Sequence, residues 1–125
     1  MLRYIERKTG YNDNGPAWIG RVKMSRTGQT VYFNGKALKR GAQKYSANSW
    51  DLETGDEYWV SGVKKDGSDR HWAGSGKVFI EEAAVAEYLA ITGASELDRS
   101  RLEVTSDIQE TDPADFVQME NRPLY

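Results

Sequence analysis

The dipeptide Asn34-Gly35 lies between two short runs, Gln29–Phe33 and Lys36–Arg40, the first rich in Thr, Val, Tyr and Phe. Both turn residues tolerate positive φ, as a two-residue type I′ turn demands, so the segment predicts a tight β-hairpin. Further turn signals punctuate the chain at Tyr11–Pro16, Ser25–Gly28, Glu53–Asp56, Asp66–Ser68 and Ala73–Gly76. The runs between them are of strand length: Leu2–Lys8, Ala17–Met24, Ser49–Leu52, Glu57–Lys64, Arg70–Trp72 and Lys77–Ile80, with a polar loop over Gly41–Asn48. In Ala17–Met24, Trp18, Gly20, Val22 and Met24 alternate with Ile19, Arg21 and Lys23. That period of two is a strand signature, and the first set is expected to face inward.

The period changes after residue 80. Ala84, Val85, Tyr88 and Leu89 fall on one helical face, Glu81 and Glu82 stand where the backbone dipole favours carboxylates, and Gly93 suits a left-handed cap. A helix is predicted over Glu81–Thr92. From Ala94 the apolar residues thin out to Leu97, Leu102, Val104 and Ile108, and Thr111-Asp112-Pro113 resembles a helix start. The expected fold is therefore mainly β within the α+β class: a small antiparallel β-barrel or strongly curved sheet, SH3-like in style, with one helix packed on it and an irregular C-terminal extension. Residues 1–93 form the β-rich domain ending in the helix, and 94–125 an acidic extension packed on it. Trp18, Val22, Val31, Phe33, Val85, Tyr88 and Leu89 are the expected core.

A chain of 125 residues holds one core of useful size. Apolar residues are 38% of it, below the usual share of about 45–50%. Four Trp and seven Tyr compensate with large apolar area, and such aromatic content argues against disorder. There is no Cys, which removes disulfides and thiolate metal sites. The N-terminus lacks a secretory signal pattern and no run of about 18 apolar residues occurs. A cytoplasmic location without membrane association is expected. Charge is unevenly spread: residues 1–80 carry 14 basic against eight acidic residues, and 81–125 carry three against eleven. Such asymmetry fits either a basic binding surface beside an acidic segment or an acidic end that packs on the basic part and stays solvated.

Familiar chemical motifs are missing. Gly76-Lys77 is followed by Val78, so no phosphate-cradling loop forms, and Gly74-Ser75-Gly76 does not extend to a dinucleotide fingerprint. Asn12-Asp13-Asn14-Gly15 has Gly10 and Arg21 where a calcium loop needs ligands. One His and no Cys leave nothing for zinc. His71 beside Asp69 and Ser75 is too little for nucleophilic catalysis. Neither a catalytic set nor a cofactor is expected.

What remains is an aromatic and basic constellation, with Trp59, Lys64, Lys65, Arg70, His71 and Trp72 as the candidate binding site. Along strand 57–64, Tyr58 and Val60 share one face, Trp59, Ser61 and Val63 the other. Exposed rings flanked by cations stack bases or clamp a peptide. The alternative is that the Trp residues fill the core while the cations snorkel around it.

The runs Arg3-Tyr4-Ile5-Glu6-Arg7-Lys8-Thr9 and Asn14-Gly15-Pro16-Ala17-Trp18-Ile19-Gly20-Arg21-Val22 resemble a family of small uncharacterised bacterial proteins. So do Glu57–Lys65 and Arg70–Gly74, and the resemblance spans most of residues 3–93. Some members carry the name deoxyxylulose-phosphate synthase. A thiamine-diphosphate enzyme needs a far longer chain and a Gly-Asp-Gly motif, so the resemblance supplies no catalytic residues. The reading is a non-enzymatic binding or interaction module with a protein or peptide partner. The alternatives are nucleic-acid binding through the basic, aromatic-rich β-surface, or a small enzyme.

Overall fold

The computed structural model describes residues 1–8, 15–41, 47–69 and 76–120. Nine strands form one sheet: β1 Leu2–Arg7, β2 Ala17–Arg21, β3 Lys23–Met24, β4 Thr30–Phe33, β5 Lys36–Arg40, β6 Ser49–Asp51, β7 Glu57–Gly62, β8 Val78–Glu81 and β9 Leu102–Thr105. Their order is β3-β4-β5-β6-β7-β1-β2-β8-β9. The sheet curls strongly because β2 and β3 are one chain run bent at Val22. The first half of that run pairs with β1 and the second with β4. Val22 donates its N–H to the Met1 carbonyl at 2.8 Å, holding the bend. The antiparallel meander from β1 to β7 therefore returns to β1, which pairs with both β2 and β7.

The hairpin at Asn34-Gly35 forms as its sequence demands. The two residues have φ of 50° and 75°, and β4 and β5 close in register with Phe33 opposite Lys36. After β8 a 3-10 turn, Glu82–Ala84, leads into helix α1, Val85–Thr92. Gly93, at φ 75°, caps it in the left-handed conformation.

Both faces of the central strands are covered, so Tyr4, Ile5 and Glu6 are buried in succession along β1. Leu2, Tyr4, Ala17, Ile19, Val78, Ile80, Ala84, Tyr88 and Leu102 form the core beneath the helix. Ile5, Val22, Val31, Phe33, Leu38 and Tyr58 form the core inside the curl, with Trp18 and Val60 packed against it. The Trp18 and Phe33 rings meet edge-on at 6.4 Å. Gly20 makes that packing possible, since the Phe33 ring occupies the space a side chain there would need.

Two expectations need correction. Ile19, placed on the outward face, is 1% exposed, whereas Trp18 is only half-buried. The strand alternates as expected, but Ala84 and Tyr88 of the helical segment pack on its second face, so alternation alone could not say which face is wet. Val85 and Leu89 are likewise half-buried, and Tyr88 is the buried residue of the helix. Val22, Val31, Phe33 and Tyr88 are buried.

The sheet does not end at β8. β9 adds to it in parallel, as β8 adds to β2, so these last two pairings differ from the antiparallel meander. The chain then runs along the Asn34-Gly35 turn. Gly35 N–H donates to Thr111 Oγ1 at 2.7 Å, and Gln109 N–H to Asn34 Oδ1 at 2.9 Å. A 3-10 turn, Pro113–Phe116, begins with the Asp112 carboxylate accepting from Ala114 N–H, and continues into a short helix α2, Val117–Glu120. Phe116 packs on Tyr32 and Ala37, on the outer face of the hairpin. Among the described residues no helix is long and apolar enough to cross a membrane.

Candidate functional site

A cavity of about 550 Å³ opens between the turn after β7, the C-terminal end of α1 and the segment leading into β9. Its apolar wall is made by Ile19, Val78, Leu97 and Leu102, with Tyr88 from the helix. Its polar rim comes from two short segments, 65–69 and 96–101.

Both rim segments are built on the same local device. Asp66 Oδ1 accepts from the backbone N–H and the hydroxyl of Ser68, at 3.0 and 2.6 Å. Asp98 Oδ1 accepts from the N–H and hydroxyl of Ser100, at 3.0 and 2.5 Å. An Asp followed two residues later by Ser favours such side-chain turns over helix or strand. The Ser hydroxyls, then the Ser backbone N–H groups, hold both carboxyls below the ordinary carboxylate value, so both stay ionised.

Asp69 is different. Its Oδ1 accepts the Lys64 N–H at 2.7 Å, while its Oδ2 is buried with no hydrogen-bond partner among the described residues. Burial pushes its carboxyl up, against the pull of the Lys64 N–H and charge. The Tyr88 phenol is also raised, first by burial and then by the negative charge of Asp69, with Arg101 opposing. Gly67, at φ +75°, lies against the Tyr88 hydroxyl, a side chain at that position being only 3.5 Å from it. Among the described lining residues four carboxylates, Asp66, Asp69, Glu96 and Asp98, thus stand on the cavity against two cations, Lys65 and Arg101. Among the described residues no three carboxylates or histidines are grouped to hold a metal ion.

Three of the six residues singled out by sequence reasoning fall among the described residues. Lys65 is exposed on the cavity rim, and Lys64 is exposed beside it, its backbone tied to Asp69. Trp59 is on β7 opposite Glu6 of β1, 37% exposed, and is not among the cavity's described lining residues. Arg70, His71 and Trp72 lie outside the described residues, as does the strand expected there. Sequence reasoning passed over Asp98 and Arg101, weighed Asp69 only beside His71, took Leu102 only as an apolar residue of the extension and Tyr88 only as core. The repeated Asp-x-Ser at 66–68 and 98–100 was the one local signal available for the rim.

Comparison of the chain with protein-family models, curated proteins and solved structures finds no match.

Proposed function

We propose that this chain is a non-enzymatic binding module, and that the cavity beside Tyr88 is its ligand site. The observation that supports it is one cavity joining an apolar wall to convergent polar groups, the arrangement by which proteins bury most of a small ligand and orient the rest. Ile19, Val78, Leu97 and Leu102 supply apolar contact, Tyr88 a ring, and the two Asp-Ser turns a fixed polar edge. The acidic surplus among the described rim residues favours this reading over a nucleic-acid interface at the same place, because phosphates bind where cations outnumber carboxylates.

Amide chemical-shift mapping with a mixed set of small neutral, acidic and basic fragments tests the proposal. Shifts should concentrate on 65–69, 88–92 and 96–102. Ala94 is exposed on the cavity lining, so Ala94→Trp should plug the opening and abolish them without unfolding the chain. Shifts confined to another face, or unchanged in Ala94→Trp, would defeat it.

A further inference from the structure

We infer that the ligand is an organic cation, an ammonium on an apolar stem, with the stem against Leu97, Leu102 and the Tyr88 ring and the charge between the Asp66 and Asp98 carboxylates. The inference rests on the cavity being a binding site and adds what it selects.

Three features of the lining lead there together. The first is the shape of the chemistry: the wall offered by Ile19, Val78, Leu97 and Leu102 is apolar, and the charges sit at the rim. A ligand matching both has an apolar body and one polar end. The second is sign. Among the described lining residues carboxylates outnumber cations four to two, and of the described charges the Tyr88 hydroxyl feels Asp69, Asp66 and Asp98 against Arg101. A cavity with low-dielectric walls focuses such a field and draws in the opposite charge. The third is placement. Each Asp-Ser turn fixes one carboxylate oxygen, at 2.6 Å for Asp66 and 2.5 Å for Asp98, which locks the carboxylate in position before a ligand arrives. Charge held in place loses little entropy on binding. A bare metal ion is a poor alternative, since the described carboxylates do not gather into a group of three.

Such a cation could arrive as a free alkylamine or as a lysine side chain on a peptide, the same ammonium on the same four- or five-carbon stem. Titration with pentylammonium, pentanol and hexanoate separates charge from apolar contact, and Nα-acetyl-lysine methylamide distinguishes the peptide source. Pentylammonium should bind at least tenfold more tightly than pentanol, and hexanoate should not bind. Asp66→Asn and Asp98→Asn should each weaken pentylammonium severalfold while leaving pentanol unchanged. Acetyl-lysine methylamide binding as tightly as pentylammonium supports a peptide ligand, and weaker binding supports a free amine. Equal affinity for pentylammonium and pentanol, or a preference for hexanoate, would overturn the cation assignment while leaving the cavity a binding site. Failure of all four probes to shift residues 65–69 and 96–102 would instead remove the site itself.

Discussion

The Tyr32 hydroxyl donates to Glu120 Oε1 at 2.6 Å, joining β4 to α2 across 88 residues of chain. The contact caps the packing of Phe116 on Tyr32 and Ala37, with Leu52 and Met119 around it. Burial, then the hydrogen bond and charge of Glu120, push the Tyr32 phenol up to about 12. Tyr58 is also raised to about 12, by burial and by Asp51, against the pull of Arg7. The folded chain therefore keeps two phenol protons that the unfolded chain gives up near pH 10. Stability from both groups is fully present below pH 10 and is lost as pH rises from about 10 to 12. Phenolate absorbance should show Tyr32 and Tyr58 titrating late, with Tyr88 displaced in the same direction. Glu120→Gln should bring Tyr32 back toward the ordinary value and leave Tyr58 late, and an unchanged titration would refute the Glu120 contribution.

Phe116 is buried, although the sequence around it is sparse in apolar residues. Phe116→Ala should cost about 3–5 kcal/mol in chemical denaturation, the range for emptying a buried aromatic site. A loss under about 1 kcal/mol would mean that the hairpin surface collapses over the gap or that the segment contributes nothing to folding.

Gly35 has φ 75°, and Gln109 Oε1 lies against the position its side chain would take. Gly35→Val should lower stability by at least about 1–2 kcal/mol through the left-handed backbone alone. The displaced Gln109 and the strained Gly35–Thr111 hydrogen bond should add to this. Thermal unfolding measures the sum, and an unaltered melting temperature would contradict the turn.

Asp69 titrates in the opposite sense to a stabilising carboxylate. Its folded pKa is raised by burial, so the folded state holds a proton where the unfolded state has lost it. Its contribution favours folding in acid and declines as pH rises through the raised value. Asp69→Asn keeps the acceptor for Lys64 N–H and removes the buried charge. At neutral pH it should melt at or above the temperature of the parent, with the difference shrinking in acid. A loss of stability equal at both pH values would show that Asp69 acts only through its shape.

Local chemistry made part of this molecule legible. Asn34-Gly35, the Gly93 cap and Asp112-Pro113 each specify backbone conformation from a residue or two, and all three are realised. What escaped depends on distant partners. Leu102-Glu103-Val104-Thr105 alternates like a strand, but its pairing is parallel, to β8, with no hairpin turn to announce it. Trp18 and Ile19 could not be sorted between faces because the sheet is covered on both. Lys65 reached the candidate site by its charge alone. Asp69 and Tyr88 matter because the fold brings a turn and a helix end together, and neither carries a motif that says so.

The parallel pairing of β8 with β9 makes the cavity a cooperative property of the sheet's outer margin. Ile19 belongs to β2, Tyr88 to the helix and Leu102 to the margin strand, so an occupant touches all three at once. Thermodynamic linkage then runs both ways. If the proposed site binds, its binding free energy accrues only to molecules whose margin is docked, so occupancy would lower the population of molecules with β9 open as ligand concentration rises. Amide exchange at Leu102–Thr105 would then be the natural gauge of a ligand at the proposed site, and the edge strand of the sheet the part of the molecule that registers whether that site is filled.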